Sequence, residues 1–391
     1  MKILVATEHW FPDVAAGGAR LAEQTSRALA ERGHEVTVIA PRASGCGARD
    51  HADGLNIRRV LRRDVLPKTY TGAARVARAV RALDISEPDV VLAHHPTSVV
   101  GIARAALGVP ISYVFHASPL RETRYRRATG VGIVERARSR AVEPGLARLE
   151  RAAAQRARQI LVLSDFSREL LLEDHPACAD RVQVVGAGVD TRRFHPAPDR
   201  DAVRARLGIA PAQSLLLTVR RLVHRMGIGV LLDALAEPGL AGRGVRLVVV
   251  GEGELRSRLE RQRDALGLRG SVSFLGHLPD ESVLDWYRAA DLFVLPTVAY
   301  EGFGLSTVEA LACGTPVVGT AVGATTEILG SLDPSLVAER AEPSSLAVTL
   351  ARALDRGHTD LRSRCRTFAE ETFSWDVTIP KWEHALESIR P

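Results

Sequence analysis

Short runs of Val, Ile and Leu recur along the chain, separated by segments whose apolar residues fall at helical spacing. Residues 2–6 and 36–40 are two such runs, and between them Leu21, Thr25, Ala28 and Leu29 share one helical face before Gly33 ends the segment. Residues 90–93, 111–115 and 160–163 are further apolar runs, the last following a long Ala/Arg-rich helical stretch. Such unbroken runs read as strands covered on both faces, which predicts a parallel sheet with helices packed on it. Residues 182–185 close the series, and a Gly/Pro-rich stretch follows, from Gly186-Ala187-Gly188-Val189-Asp190 to Phe194-His195-Pro196-Ala197-Pro198, which reads as an interdomain connector. A second alternation then begins. Its predicted strands are residues 215–219, 245–250, 272–275, 292–295 and 316–319, with helices over 229–235 and 254–266. Two doubly wound α/β domains in tandem are the economical reading, with ligand expected at the carboxyl ends of the strands.

Composition narrows this picture without redirecting it. A length of 391 residues suits two domains of ordinary size, and a chain 46% hydrophobic and 25% charged is neither disordered nor fibrous. No apolar run approaches the roughly 20 residues that span a bilayer. The opening apolar stretch is interrupted by Glu8 and reads as a strand, so a cytoplasmic protein is expected. Cys46, Cys178, Cys313 and Cys365 show no CxxC pairing and read as scattered free thiols. The net charge of +6 rests on arginine, Lys2, Lys68 and Lys381 being the only lysines, which points to genome composition. It favours anionic partners in general: nucleotides, acidic acceptors or a membrane surface. The basic run over residues 124–158, with Arg136, Arg138, Arg140, Arg148, Arg151 and Arg156, reads first as a solvated helical face interrupted at Pro144 and Gly145. Peripheral membrane contact or an anionic acceptor is the alternative.

The chemistry concentrates in residues 296–316. A strand ends near Leu295, a loop carrying Gly302 and Gly304 follows, and a helix runs from about Leu305 to Gly314. Free backbone N–H groups at a helix N-terminus suit an anion such as a diphosphate. Glu301 precedes the first glycine and Glu309 lies about one turn into the helix. Carboxylates accept hydrogen bonds and donate none, so the pair suits the hydroxyls of a sugar and a ribose.

This stretch resembles the carboxylate-x7-carboxylate motif of the family 4 retaining glycosyltransferases. The similarity extends over nearly the whole chain, through Gly17-Gly18-Ala19-Arg20, Ser164-Asp165-Phe166-Ser167, Gly188-Val189-Asp190 and Val249-Val250-Gly251-Glu252-Gly253. It continues through Phe274-Leu275-Gly276-His277, Ala290-Asp291-Leu292-Phe293-Val294-Leu295-Pro296 and Phe373-Ser374-Trp375-Asp376. The resemblance implies the GT-B fold, two Rossmann-like doubly wound domains facing a central cleft. It places an acceptor-binding domain at 1–187, rejoined by 373–391, and a nucleotide-sugar-binding domain at 188–372. Glu301 is then expected to bind donor-sugar hydroxyls. The amides of Gly302, Phe303, Gly304 and Leu305 would meet sugar and phosphates, and Glu309 the ribose. Gly17 and Gly18, in the loop after the first strand, would admit the diphosphate. Gly251, Gly253 and His277 belong to the donor site, with base contacts near residues 275–278. His116, at the end of the strand over 111–115, would position the sugar. His94 and His95 are a weaker case, since strand ends in this fold also line the acceptor side, and the balance tips slightly toward ordinary strand-end residues.

The reaction implied is transfer of a hexose-type sugar from a nucleoside diphosphate, uridine first and guanosine second, to a carbohydrate, lipid-linked or small-molecule hydroxyl. Configuration would be retained, the departing diphosphate accepting the acceptor's proton on the same face as the domains close and exclude water. No Asp-x-Asp motif stands beside a predicted strand end, so neither metal nor other cofactor is expected. A bacterial enzyme of surface-glycan or natural-product assembly would suit the composition. One departure from the family pattern stands out. The phosphate clamp there is an arginine followed five residues later by a lysine, and here Arg221 is followed at that spacing by Met226. A thioether cannot neutralise a phosphate, and Arg225, Arg220 or Arg20 would have to substitute. Losing a preorganised charge costs on the order of 10² to 10³ in rate, so a weakly active or inactive nucleotide-sugar-binding protein is the rival reading. A dinucleotide-dependent oxidoreductase lacks a G-x-G-x-x-G after the first strand. Binding to nucleic acid would rest on charge alone.

Overall fold

The computed structural model describes residues 1–11, 16–42, 49–52, 54–62, 70–83, 87–129, 133–356 and 359–390. Cys46 and Lys68 lie outside the described residues. The chain forms two compact units, Met1–Gly188 with Asp376–Pro391, and Val189–Trp375.

The first unit is built on strands β1 (Lys2–Ala6), β2 (Glu35–Arg42), β3 (Arg49–Ala52), β4 (Leu55–Arg62), β5 (Val90–Ala93), β6 (Ile111–Val114), β7 (Gln159–Val162) and β8 (Val182–Val184). They form one sheet in the order β3-β4-β2-β1-β5-β6-β7-β8. Every pairing is parallel except that of β3 with β4. Strands β5 and β6 are buried along their whole length, as continuous apolar runs require in a sheet covered on both faces. The antiparallel β3–β4 edge departs from the all-parallel expectation. It escapes a hydrophobic reading because Arg59 occupies an inward position beside Leu55 and Ile57, buried, with its guanidinium directed to the carbonyl of Pro41.

Pro144 does not interrupt the basic run as expected, because the helix Ile133–Arg156 passes through it. Proline removes one N–H from the ladder, and the burial of Leu146, Leu149, Ala152 and Ala153 holds the helix in place regardless. The terminal helix Trp375–Glu387 serves the same unit. Trp382 is fully buried and donates its indole N–H to the carbonyl of Gly186 at 3.2 Å, while Glu383 pairs with Arg32.

The second unit carries β9 (Leu215–Val219), β10 (Arg246–Val250), β11 (Val272–Gly276), β12 (Leu292–Leu295), β13 (Val317–Thr320) and β14 (Val337–Ala338). Its sheet is wholly parallel, in the order β11-β10-β9-β12-β13-β14. In each unit one strand is flanked by neighbours that the chain reaches in opposite directions: β1 between β2 and β5, and β9 between β10 and β12. Such switch points open a crevice between the loops that leave the sheet on either side, so the loops after β1, β5, β9 and β12 are where this kind of sheet offers room for a ligand. No helix among the described residues is long and apolar enough to cross a membrane.

Candidate functional site

In the second unit the loops after β9 and β12 meet. Arg220, directly after β9, is buried at 8% exposure, and one guanidinium nitrogen, Nη1, donates to Thr297 Oγ1 at 2.6 Å. The other, Nη2, donates to Glu301 Oε2, which also accepts the Thr297 hydroxyl at 2.8 Å. Burial by itself raises the pKa of Glu301. The charge and hydrogen bond of Arg220, the Thr297 hydroxyl and the charge of Arg225 outweigh it, and the net shift is downward. Glu301 is therefore a carboxylate at neutral pH. Its backbone is held as firmly, its carbonyl accepting the N–H of Ala324 at 2.9 Å. Gly323, at φ +61°, passes so close that a Cβ there would lie 2.2 Å from that carbonyl oxygen. Tyr300 has φ +55°, a strained region for an aromatic residue, and its carbonyl accepts Arg225 Nη1 at 3.1 Å. The amide of Val298 donates to the Arg225 carbonyl at 2.9 Å.

Beyond Glu301 the helix Leu305–Ala312 begins at Gly304, which is left-handed and gives no side-chain cap. The start of this helix therefore offers main-chain N–H groups and positive dipole together. Phe303 is buried edge-on against Phe373, so only its backbone is available to a ligand. Glu309 is buried, and Tyr287, itself fully buried beneath it, donates its hydroxyl to Glu309 Oε2 at 2.8 Å. Nothing in the sequence around Tyr287 marks it as a partner of Glu309. It lies in the helix Asp280–Ala289 and reads there as an ordinary core aromatic.

Arg221 is exposed and Arg225 half-buried. Residues His224–Met226 form a 3₁₀ turn, in which successive side chains diverge by about 120°. Met226 points inward, at 8% exposure, while Arg225 reaches the loop next to Glu301. Of the expected substitutes for the clamp lysine, Arg220 is committed to Glu301 and Thr297, and Arg20 lies with its guanidinium 4.4 Å over the Phe11 ring. Arg225 stands at the loop itself. Gly251 and Gly253 abut the same strand end from the other side. A Cβ on either would fall 2.0 Å from the Arg220 carbonyl oxygen or 2.4 Å from that of Leu222. Both glycines thus let two loops touch, which places the arginines. His277 is exposed beyond β11.

In the first unit Gly17 and Gly18 open the helix Gly17–Glu31 instead of lying in a loop, a correction to the sequence reading. Glycine is a poor signal for a helical first turn, which is why it reads as loop. A Cβ on Gly17 would meet no protein atom within 4 Å, and one on Gly18 would touch the His116 ring at 3.6 Å. His116, just after β6, is half-buried and shares a hydrogen bond with His94, Nε2 to Nδ1 at 3.1 Å, with the two rings stacked. Burial pushes the His94 imidazole well below its usual pKa, with the adjacent His116 adding to the effect. Burial also brings His116 down to about 4, with help from His95 and His9. Both rings are neutral near pH 7. His95 pairs with the buried Glu8 at 3.0 Å and also caps the helix Pro96–Ala105. His94, a weaker candidate than His116 by sequence, is thus a member of the same cluster. Among the described residues no group of three or more His, Cys, Asp or Glu side chains is placed to hold a metal ion.

The chain is similar to known proteins along most of its length. Residues 199–372 match the family described as glycosyl transferases group 1, and residues 15–193 match glycosyltransferase family 4. The D-inositol 3-phosphate glycosyltransferase of Mycolicibacterium smegmatis is 31% identical, over 94% of this chain and 86% of that one. Among solved structures, sucrose-phosphate synthase from Thermosynechococcus elongatus superposes with a TM-score of 0.82 at 21% identity, covering 100% of this chain and 99% of that one. Anabaena HepE in complex with UDP-glucose superposes with a TM-score of 0.77 at 20% identity, each chain covered fully. The chain belongs to the family 4 glycosyltransferases and has their GT-B fold.

Proposed function

We propose, from membership of this family as premise, that the chain is a retaining hexosyltransferase using a nucleoside-diphosphate sugar, uridine first and guanosine second. HepE, solved with UDP-glucose, shares the fold and supports that order. The observation that carries the reading is the ionised Glu301 held beside Arg225 and the uncapped start of the helix Leu305–Ala312, at the carboxyl ends of β9 and β12. An acceptor-only carboxylate next to a cationic, N–H-rich surface matches a sugar hydroxyl next to a diphosphate.

In this reading Glu301 binds the sugar, and Glu309, steadied by Tyr287, binds the ribose. Arg221 and Arg225 take the diphosphate together with the amides of Gly302, Phe303, Gly304 and Leu305. Gly251 and Gly253 set the arginine loop, and His277 lies toward the base. The first unit takes the acceptor, a hydroxyl on a carbohydrate, a lipid-linked sugar or a small molecule. His116 meets the sugar as a neutral imidazole, and the bare N-terminus at Gly17 and Gly18 meets the diphosphate. The leaving diphosphate accepts the acceptor's proton, and the arginines and helix start stabilise the charge that develops on it. No step calls for a metal. The compartment proposed is the cytoplasm, with which the free thiols of Cys178, Cys313 and Cys365 accord.

The test is nucleotide release from donor and acceptor by wild type and Glu301→Ala, with and without EDTA. Glu301→Ala should lose at least about 10²-fold in kcat/KM while its circular dichroism is unchanged, and EDTA should have no effect. Wild-type rates in the variant would remove Glu301 from the site, and loss with EDTA would remove metal independence. The inward-facing Met226 supports a second reading, a protein that binds nucleotide sugar without turning it over. Calorimetry showing donor binding with no nucleotide release for any acceptor would favour it.

A further inference from the structure

We infer that Arg220 and Thr297 are positioning residues that aim one oxygen of Glu301 at the donor sugar, and so set the protein's preference for a nucleotide sugar over the bare nucleotide. The inference rests on the reading of Glu301 as a sugar ligand. The two side chains form a closed ring of hydrogen bonds with the carboxylate. Arg220 grips Thr297 Oγ1 with Nη1 and Glu301 Oε2 with Nη2, and the Thr297 hydroxyl donates to the same Oε2. A guanidinium is a planar fork, so holding two partners at once fixes its own orientation and theirs. All three residues are under a tenth exposed. Both donors converge on Oε2, so Oε1 is the oxygen turned to a hydroxyl.

The surrounding backbone does not let this group drift. Ala324 N–H holds the Glu301 carbonyl, Thr320 Oγ1 holds the Thr297 carbonyl, and Arg225 spans from Val298 to Tyr300. The charged groups facing Glu301 are Arg220 from the end of β9 and Arg225 from the 3₁₀ turn. Arg225 hydrogen-bonds to backbone and gives the carboxylate only its field, so Arg220 is the cation that sets its direction. Replacing Arg220 with an uncharged side chain leaves a buried carboxylate with one donor. Such a carboxylate turns toward solvent or takes up a proton, and in either case it presents a hydroxyl with a poorer acceptor.

The experiment is calorimetric titration of wild type, Arg220→Met, Arg220→Lys, Thr297→Val and Glu301→Gln. The ligands are UDP-glucose and GDP-mannose, each beside its bare nucleotide, between pH 5 and 8. Wild type should bind one nucleotide sugar more tightly than the matching nucleotide. Arg220→Met should lose about tenfold of that margin while bare-nucleotide affinity stays within twofold, and the margin should fail at a higher pH than in wild type. Arg220→Lys, which keeps the charge but not the fork, should restore the pH limit and only part of the margin. A merely structural role would weaken nucleotide and nucleotide sugar alike. A folded Arg220→Met that keeps the full margin overturns the inference. Should Arg220→Met lose nucleotide binding altogether, Thr297→Val decides: a margin reduced severalfold supports the inference, and an unchanged one overturns it. A margin that survives in Glu301→Gln, or is absent in wild type with both sugars, would instead overturn the reading of Glu301 on which the inference stands.

Discussion

At the scale of single residues, the site is organised by buried polar groups that face one another. His94 and His116 share a hydrogen bond and are both neutral at pH 7, burial being the main cause in each case. In the unfolded chain a histidine takes up its proton near pH 6.5, whereas His116 in the fold does so only at about 4 and His94 well below 6.5. Between those values the unfolded state binds more protons, so this part of the stability is complete above about pH 6.5 and is lost as the pH falls toward 4. Glu301, with its pKa lowered, adds a loss of the same sign below about 4.5. Thermal melting of wild type and His94→Leu at steps from pH 7.5 to 4.5 checks this. The variant should lose less melting temperature on acidification, and identical slopes would mean that His94 is not held neutral by burial. Glu301, Glu309 and His116 are legible in the sequence because they stand in a recognisable strand–loop–helix or at a strand end. Arg220, Thr297, Tyr287 and His94 are not. Arg220, Tyr287 and His94 pair with residues 22 to 81 positions away, and Thr297, four residues from Glu301, is tied to Arg220 77 positions away; such pairings are made by the sheet order, which periodicity does not encode.

At the scale of elements, glycines do two different jobs, and substitution separates them. Gly323 lies at φ +61° before the helix Thr325–Leu332, with the Glu301 carbonyl in the space a Cβ would occupy. Gly323→Ala should cost about 2–4 kcal/mol, from the left-handed strain and the backbone contact together, and should displace Glu301. Gly17 is helical, with open space around it. Gly17→Ala should leave the melting temperature equal or slightly higher, because alanine is the better helix former by up to about 1 kcal/mol. If the diphosphate approaches that helix start, the same variant should lose activity by tenfold or more. Urea unfolding and initial rates on both variants distinguish the two roles, and full activity in Gly17→Ala would remove this helix from the donor site. Apolar runs mark most of the strands to within a residue, because strands buried on both faces have no polar positions to blur them. The β3–β4 edge is obscured by Arg59 at an inward position, and the helix through Pro144 by a residue that usually ends one. In both places tertiary burial overrides local preference.

At the scale of the whole molecule, the chain leaves its first unit at Gly188 and returns to it at Asp376, so one compact unit is assembled from the two ends of the sequence. Trp382 carries much of that return. It is fully buried, bonded to Gly186, and lies one helical turn from Ala385, whose carbonyl accepts from Gln159 of β7 at 2.7 Å. Trp382→Ala should cost about 3–5 kcal/mol, by loss of apolar burial and the cavity left behind. Its effect should appear as faster amide exchange in β7, β8 and the terminal helix, because amides open with the core that shelters them. At the proposed site of Glu301, Glu309, Arg221 and Arg225, a bound donor would act on the other unit. At a hundredfold excess over its dissociation constant it stabilises the folded state by about 2.7 kcal/mol. Its protection should fall on residues 219–227 and 296–310. Hydrogen exchange on wild type and Trp382→Ala, with and without UDP-glucose, reads both effects in one experiment. Donor protection confined to the strand ends of the first unit would move the nucleotide to the other half of the fold, and Glu301 with it out of the chemistry.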